Sequence, residues 1–312
     1  MSPSSLVFTG ATRGIGRAAA LRIASANPDV HLVLLARGSA GTELVDEVRR
    51  RGANATAVAA DLSSMTGVRE GASRIATMAA AGEVPSLGGI LANAGIQHTN
   101  AVTATRDDFE ETFAVNVLAN HLLIRLLSNH LRPNSRITLT TSDTHFGDLR
   151  HNLGMVPAPA WHHPDQLARP GAFPAADSAK AGRTAYSTSK LAVIYLVHEF
   201  ARRLPDTVDI VSYNPGFVPN TGLARHADPV SRFVVRNVLP ALTLTPVATT
   251  VETAARLLVA TAMKDVQAST GDYVDRGIVT RSSEESYDLA REEELFATAD
   301  RLLYDAGHLT SS

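Results

Sequence analysis

The sequence has no cysteine among its 312 residues. That absence excludes disulfide bridges, thiolate zinc sites and cysteine nucleophiles. Charged residues make up only 19% of the chain, and 29 basic residues against 31 acidic ones leave a net charge of −2. A charge balance this close to zero does not favour electrostatic capture of nucleic acid or of an anionic membrane.

Long hydrophobic runs are also missing. A transmembrane helix needs about 20 mostly apolar residues. The stretch 84–105 has no acidic or basic side chain, but its proline, glycine and asparagine content is typical of a strand with loops. The first five residues include no basic side chain, which does not fit a signal peptide. We therefore expect a soluble, cytoplasmic protein without a membrane span.

Short apolar runs alternate with helical patterns along the chain. Apolar runs without polar alternation predict parallel strands buried on both faces, at 6–8, 31–36, 55–60, 89–92, 136–141 and 208–213, with a weaker one near 273–274. Apolar residues at helical spacing predict helices at 14–26, 42–51, 107–131, 184–204, 232–239 and 251–263. This alternation predicts an α/β fold: a single-domain, Rossmann-type doubly wound parallel sheet with helices on both faces. We find no repeat or linker that divides 1–312. We expect a charged helical tail over 284–312, with its amphipathic helix on the surface.

A glycine-rich turn follows the first predicted strand and precedes the first predicted helix. It contains Gly10, Gly14 and Gly16. Glycine allows positive φ and close approach of the backbone to a ligand, and a helix N-terminus directs amide donors at a phosphate. The strand–turn–helix context therefore predicts a dinucleotide-binding site.

The residue after the second predicted strand indicates which nicotinamide cofactor binds. An acidic residue at this place would bind the ribose 2′-hydroxyl. The chain instead has Arg37 there, and Arg13 lies within the glycine-rich turn. Guanidinium groups suit a 2′-phosphate, because they form planar, charge-assisted hydrogen bonds. We therefore expect NADP(H) rather than NAD(H).

Tyr186 and Lys190 are four residues apart in a predicted helix and so share a face. A free tyrosine has a pKa of about 10, and a nearby ammonium lowers that pKa by favouring the phenolate. Such a pair suits general acid–base catalysis. Ser142 ends a predicted strand, where open α/β sheets bind ligands. Its hydroxyl can polarise a carbonyl, although Thr140 and Thr141 carry hydroxyls as well.

The motifs together resemble those of the short-chain dehydrogenase/reductase family over residues 6–277. In the family's order they are Thr9-Gly-x-x-x-Gly14-x-Gly16, Asp61-Leu62, Asn93-Ala94-Gly95, Asn116, Ser142, Tyr186-x-x-x-Lys190 and Pro215-Gly216. The resemblance implies reduction of a ketone or aldehyde carbonyl, or the reverse oxidation of an alcohol. Tyr186 is then the proton donor, Ser142 holds the substrate oxygen, Lys190 binds the nicotinamide ribose and Asn116 supports a proton relay.

The resemblance also implies further contacts with the cofactor. They are expected at Gly10, Thr12, Arg13, Gly14, Ile15, Gly16, Arg37, Asp61, Leu62, Asn93, Ala94, Gly95, Tyr186, Lys190, Pro215, Gly216, Val218 and Thr221. Two of these positions have simpler interpretations beside the functional one. Asp61 is also a good helix N-cap, as are Ser63 and Ser64, and Asn93-Ala94-Gly95 also suits a plain turn.

The segment 143–182 interrupts the α/β pattern with five prolines and four histidines. Imidazole is a common metal ligand, but no H-x-x-x-H pair is present, so we expect a packed loop and no metal. Because the insertion begins beside Ser142, His145 and Trp161 are candidate substrate contacts. Phe217 and Leu223 are candidates for a roof over an apolar, polycyclic or polyketide-like substrate.

Family members with such insertions include monomeric carbonyl reductases and retinol-dehydrogenase-like proteins. In the monomeric members the insertion covers a helix face that others use to form oligomers, so a monomer and a dimer both remain open.

Two other functions also remain open. One is reduction of a C=C bond, as in the protochlorophyllide type, whose proposed proton donor is a cysteine that this chain lacks. The other is a non-catalytic NADP-binding protein, which would usually have lost Tyr186 or Lys190.

Overall fold

One sheet of eight strands forms the centre of the computed structural model, which describes residues 3–152, 154–218 and 249–309. The strands are β1 (Ser4–Thr9), β2 (Val30–Ala36), β3 (Ala55–Ala59), β4 (Leu87–Ala92), β5 (Leu131–Thr140), β6 (Val208–Asn214), β7 (Tyr273–Asp275) and β8 (Ile278–Thr280). Their order is β3-β2-β1-β4-β5-β6-β7-β8, and only the last pair is antiparallel. The predicted doubly wound parallel sheet is confirmed. The sequence did not predict β8, the edge strand that pairs antiparallel with β7.

Helices cover both faces of this sheet. They are α1 (Gly14–Ala26), α2 (Ala40–Arg50), α3 (Met65–Ala80), α4 (Glu111–Phe113, a π-helical turn Ala114–Leu118, then Ala119–Leu127), α5 (Leu149–Asn152), α6 (Pro164–Leu167), α7 (Ala179–Arg203), α8 (Val251–Ala262) and α9 (Leu289–Asp305). Along β1, Val7 packs among α3, α4 and α7, whereas Leu6 and Phe8 pack among α1, α2 and α8. Both faces of the strand are buried, which explains why its sequence is apolar without alternation.

Several helix boundaries differ from those predicted. Helix α4, for example, ends at Leu127 rather than at 131. Two helix starts have a clear structural cause. Helix α4 begins at Glu111 because the buried Glu110 carboxylate accepts a hydrogen bond from the Phe113 amide at 2.7 Å. Helix α7 begins at Ala179, within the predicted insertion, because the Ser178 hydroxyl caps the Ala181 amide at 3.2 Å. The helix predicted at 232–239 lies outside the described residues.

The insertion is less irregular than predicted. It begins with a 3₁₀ turn, Asp143–Phe146, and contains α5 and α6. The segment between these two short helices packs on α7, where the Ala160 amide donates to the Thr188 hydroxyl at 3.0 Å. The insertion is therefore fixed to the helix that carries Tyr186 and Lys190.

The C-terminal tail, which we expected on the surface, has one face in the core. Leu295, Phe296 and Leu303 of α9 are buried in the hydrophobic cluster that also contains α4 and α7. The Phe296 ring lies 5.0 Å from that of Phe200 and 4.7 Å from that of His121, between centroids. An apolar stripe along a charged helix explains this docking. Among the described residues no helix is both long enough and apolar enough to cross a membrane.

Candidate active site

The carboxyl ends of β1, β4, β5 and β6 lie side by side, because these strands are parallel neighbours. In open α/β sheets this edge is where ligands bind. The sequence motifs lie at these strand ends: the glycine-rich turn directly follows β1, Asn93-Ala94-Gly95 directly follows β4, and Pro215-Gly216 directly follows β6. Ser142 lies two residues after the end of β5.

The glycine-rich turn packs tightly against the end of β4. Gly10 has φ +69°, and a Cβ on it would lie 2.7 Å from the backbone of Ala94. The Asn93 side-chain amide donates to the Gly10 carbonyl at 3.3 Å. Any larger residue at Gly10 would push these two strand ends apart. Asn93 therefore has a structural role in the turn that its sequence motif alone did not specify.

The N-terminus of α1 has no side-chain cap. Its N-cap residue Arg13 makes no capping hydrogen bond from its side chain, and the first turn contains no acidic residue. Gly14 at the start of the helix has φ +50°. Thr12 and Ile15 beside it are only partly buried. An uncapped helix N-terminus with a positive dipole end fits the pyrophosphate of a dinucleotide.

Arg37 lies beyond the end of β2 with its side chain 71% exposed, 3.6 Å from the Asp61 carboxylate. Burial opposes ionisation of Asp61, but hydrogen bonds from Ser63 and the charge of Arg37 hold its pKa below the usual value. The cap of α3 is Ser64 rather than Asp61, and Leu62 packs against the core. Asp61 is therefore left at the edge of the sheet, beside the guanidinium expected to bind a 2′-phosphate.

Lys190 is buried, and its ammonium donates to the Thr140 carbonyl at 3.0 Å. The same nitrogen lies 5.6 Å from the centroid of the Tyr186 ring. A Cβ on Gly95 would lie only 3.2 Å from it, so a side chain there would intrude on the ammonium. Burial lowers the pKa of Lys190 to about 8.

Tyr186 is also buried, and burial raises the pKa of its phenol to about 12. A hydrogen bond between the Ser142 and Tyr186 hydroxyls acts in the opposite direction, while the negative charge of Asp143 adds to the rise. Our expectation that Lys190 lowers this pKa is wrong for the protein alone. Burial affects the pKa of Tyr186 more than the hydrogen bond and the neighbouring charge do. Burial also lowers the pKa of Lys190.

Of the three hydroxyls that the sequence offered, Ser142 is the one that bonds to Tyr186. The Thr140 hydroxyl donates to the Asn93 side chain at 3.3 Å. The Thr141 hydroxyl donates to the Lys190 carbonyl at 3.1 Å. Both threonines thus hold neighbouring elements together, and Ser142 faces the tyrosine.

Asn116 is fully buried in the π-helical turn of α4. Its side chain accepts from the Ile96 amide at 2.9 Å and donates to the Ile96 carbonyl at 3.0 Å and the Ser189 hydroxyl at 2.9 Å. The Asn116 carbonyl accepts from the Asn120 side chain at 2.8 Å. Asn116 thus joins the segment after Gly95 to the helix that carries Lys190. Sequence reasoning missed Ser189, which directly precedes Lys190, and Asn120, which lies four residues after Asn116.

The turn after β6 is built around Gly216, whose φ is +72°. Its amide donates to the Asn214 side chain at 3.1 Å. Pro215 and Val218 are buried, whereas Phe217 is only partly buried. The candidate contacts Thr221 and Leu223 lie outside the described residues.

The two substrate candidates in the insertion are placed differently from what we expected. His145 is buried, its Nδ1 lies 2.6 Å from the Ser142 carbonyl, and its Nε2 accepts from the Ser283 amide at 3.2 Å. Burial lowers its pKa to about 4, so the ring is neutral and both its nitrogens are engaged. Trp161 packs edge-on against Tyr195, 4.8 Å away, more than two turns along α7 from Tyr186. This geometry favours packing roles for both residues.

Asp143 and Asn214 are site residues that sequence reasoning missed. Asp143 directly follows Ser142, and Asn214 directly precedes Pro215, so adjacency to a predicted site residue was the available signal. Among the described residues, no group of three or more histidine, aspartate or glutamate side chains is arranged to hold a metal ion.

Comparison with known proteins finds short-chain dehydrogenases. The family model for short chain dehydrogenases matches residues 5–149, which include the glycine-rich turn, Asn116 and Ser142. The protein DnrU of Streptomyces sp. (strain C5), which is named for daunorubicin C-13 ketoreduction, is 36% identical over 213 residues. This alignment covers 68% of the present chain and 65% of DnrU, so the chain spans less than two thirds of that relative. The first half of the chain is therefore similar in sequence to short-chain dehydrogenases.

Two further similarities extend over more of the chain. A polyprenol dehydrogenase of Danio rerio is 27% identical over 295 residues, covering 90% of this chain and 81% of that one. The crystal structure of the angucycline C-6 ketoreductase LanV with bound NADP superposes with a TM-score of 0.64 at 21% identity, covering 88% of this chain and 93% of that one. The structural match confirms the fold of the described sheet and helices.

Proposed function

We propose that this protein is a short-chain dehydrogenase/reductase that uses NADPH to reduce a ketone or aldehyde carbonyl. One observation carries the proposal: the Ser142 hydroxyl, the Tyr186 phenol and the Lys190 ammonium meet at the carboxyl edge of the sheet. Each is buried or partly buried, and each has the chemistry that carbonyl reduction needs: a hydrogen-bond donor, a proton donor and a cation.

The cofactor fits the residues present. The uncapped N-terminus of α1 suits a pyrophosphate, and Arg13 and Arg37 suit a 2′-phosphate. The Gly216 turn and the Lys190 ammonium lie where the family binds the nicotinamide end. Bound NADPH supplies the hydride for the reaction. The NADP present in the structure of LanV supports this choice of cofactor.

The protein's own groups polarise the carbonyl and deliver the proton. The Ser142 hydroxyl donates a hydrogen bond to the substrate oxygen and so polarises the carbonyl. The Tyr186 phenol, protonated at neutral pH because burial raises its pKa to about 12, donates its proton as negative charge develops on that oxygen. Lys190, with a pKa of about 8, is mostly protonated at pH 7. It is therefore able to return a proton toward Tyr186 after the phenol has donated its own. Asn116 fixes the helix and the loop that hold Lys190 in place.

The substrate we favour is an apolar, polycyclic ketone of the aromatic polyketide type. The names of DnrU and LanV, which refer to daunorubicin and angucycline ketoreduction, support this choice. The polyprenol dehydrogenase of Danio rerio is likewise named for an apolar substrate. We propose Phe217, which directly follows Gly216 and is partly buried, as a contact for such a substrate.

The test follows NADPH absorbance with a panel of aryl ketones, quinones, retinoid aldehydes and polyketide-like ketones. We expect the alcohol as product, identified by mass spectrometry and by loss of the carbonyl signal. A product reduced at a C=C bond with its carbonyl intact would show an enone reductase instead. Tight NADPH binding without turnover of any compound would favour a non-catalytic binding protein.

A further inference from the structure

The ring of His145 connects Ser142 to a turn close to the C-terminal helix. The Nδ1 atom lies 2.6 Å from the Ser142 carbonyl oxygen, and the Ser283 amide donates to Nε2 at 3.2 Å. The histidine is buried, with only 1% of its surface exposed. Its ring therefore joins two backbone segments that lie 138 positions apart in the sequence.

The two partners of the ring determine where its proton lies. A backbone amide can only donate, so Nε2 must offer a lone pair, and a carbonyl can only accept, so Nδ1 must carry the proton. His145 is therefore neutral, in the tautomer with a proton on Nδ1. Burial lowers its pKa to about 4, and the other groups that influence this pKa are His151, Asp275 and Asp148. The titratable ring of Tyr273 packs against it, 5.2 Å away between centroids.

Ser142 lies two residues beyond the end of β5, and the 3₁₀ turn that follows holds both of its oxygens. Its carbonyl accepts from the His145 ring and, at 3.3 Å, from the His145 amide. Its hydroxyl oxygen accepts from the Thr144 amide at 3.4 Å. Because that amide donates to the serine oxygen, the serine O–H is free to donate elsewhere, as the proposed reaction requires.

The other end of this connection is fixed to the helix that carries Tyr186. Ser283 is the first residue of the C-terminal turn, by which we mean residues 283–287, and its 3₁₀ part covers Glu284–Tyr287. The Tyr195 hydroxyl, further along α7, donates to the Glu285 carbonyl at 2.8 Å. The C-terminal turn is therefore bonded to α7 on one side and to the histidine ring on the other.

We propose that His145 is a positioning residue that braces Ser142 against the C-terminal turn and so sets the separation between the Ser142 and Tyr186 hydroxyls. The proposal rests on the proposed function, in which both hydroxyls act on the substrate oxygen. Hydrogen-bond donors stabilise developing charge best when they are held in place before the reaction. A displacement of about 1 Å costs up to about a hundredfold in rate, so a brace on Ser142 has a measurable effect.

The first experiment removes the far end of the brace and leaves the histidine in place. Ser283 has φ −58°, a value that proline adopts, so Ser283→Pro deletes the amide hydrogen at a compatible backbone position. With the best compound of the ketone panel, we expect kcat to fall about tenfold to a hundredfold while the NADPH Kd stays within about threefold. The matched control is Glu284→Pro, which puts proline at the exposed first position of the 3₁₀ part and keeps the Ser283 amide. Equal kcat values for the two proline variants would overturn the proposal.

A double-mutant comparison separates positioning of Ser142 from general damage to the fold. If the brace acts through the Ser142 hydroxyl, its loss should no longer matter once that hydroxyl is gone. We expect Ser283→Pro to change the remaining kcat of the Ser142→Ala protein by less than about twofold. A fall as large as the one that Ser283→Pro causes in the wild-type protein would show a merely structural role and refute the proposal.

A further measurement does not depend on turnover, so that it separates this inference from the proposed function. Nitrogen-15 NMR of labelled histidines shows which ring nitrogen carries the proton, and the His145 signals are those that His145→Gln removes. We expect a protonated Nδ1, an unprotonated Nε2 and no titration between about pH 6 and 8. A proton on Nε2, or a midpoint near the usual pKa of about 6.5, would refute the brace even in an active enzyme. The expected tautomer in a protein that reduces no carbonyl would sustain the brace and reject the proposed function.

Discussion

The ammonium group of Lys190 donates a hydrogen bond to the carbonyl oxygen of Thr140 at 3.0 Å. Thr140 ends β5 two residues before Ser142, and Lys190 lies one turn of α7 after Tyr186. This one contact therefore fixes the helix that carries the proposed proton donor against the strand that carries its hydrogen-bond partner. It also places a cation where burial disfavours charge.

Replacing Lys190 with methionine should make the cofactor-free protein more stable at pH 7 and inactive. Burial lowers the pKa of Lys190 from 10.5 to about 8, so the folded protein holds this proton less tightly than the unfolded chain does. The cost of keeping the charge is present in full below pH 8 and fades as the pH rises from about 8 to 10.5. Urea denaturation should show a gain of about 1–3 kcal/mol at pH 7, after the hydrogen bond to Thr140 is lost, and almost none at pH 10.

The control for that stability measurement is Lys180→Met, which alters an exposed lysine at the start of the same helix. Its stability should stay within about 0.5 kcal/mol of the wild-type value at both pH values. A Lys190→Met protein less stable than wild type at pH 7 would show that the ammonium contributes more through its hydrogen bond than it costs through burial.

Replacing Arg37 with alanine should weaken NADPH binding about tenfold to a hundredfold, because the change removes a charge-assisted contact with the 2′-phosphate. The affinity for NADH, which has no 2′-phosphate, should stay within about twofold of the wild-type value. The wild-type protein should prefer NADPH by at least about tenfold. Both affinities are measured by nicotinamide fluorescence. Arg22→Ala, which removes an exposed arginine from α1 beyond the glycine-rich turn, is the matched control. Equal affinities of the wild-type protein for the two cofactors would contradict the assignment of Arg37.

Replacing Phe296 with alanine should destabilise the protein by about 3–5 kcal/mol, the range for removing a buried aromatic ring. Phe296 is 4% exposed and packs between Phe200 and His121. Tyr304→Ala, on the same helix but 52% exposed, should cost less than about 0.5 kcal/mol. Similar denaturation midpoints for the two variants would show that α9 is not part of the cooperative core.

The sequence predicts the parts of this protein that depend on local pattern. The apolar run of β1 and the glycine-rich turn that follows it locate β1 and α1. The spacing of four residues alone places Tyr186 and Lys190 on one helix face. These features are encoded within a few neighbouring residues. The family resemblance adds Ser142, which the residues alone do not distinguish from Thr140 and Thr141.

Contacts between distant segments could not be predicted in this way. Asn214 and Asp143 are far apart in the chain and meet only because β5 and β6 are neighbours in the sheet. The docking of α9 depends on the apolar faces of α4 and α7 lying together. The pKa of Tyr186 depends on how completely the site is buried, so an argument from its spacing to Lys190 predicted the wrong direction.

The measurement that tests the central claim most directly is the rate of Tyr186→Phe with the best ketone of the panel, together with its affinity for NADPH. This change removes one hydroxyl and keeps the ring that packs in the buried site. We predict that kcat falls by about 10²–10⁴-fold, the range for losing a general acid, while the NADPH Kd stays within about threefold. Activity within twofold of the wild-type rate, with binding intact, would contradict the assignment of Tyr186 as the proton donor.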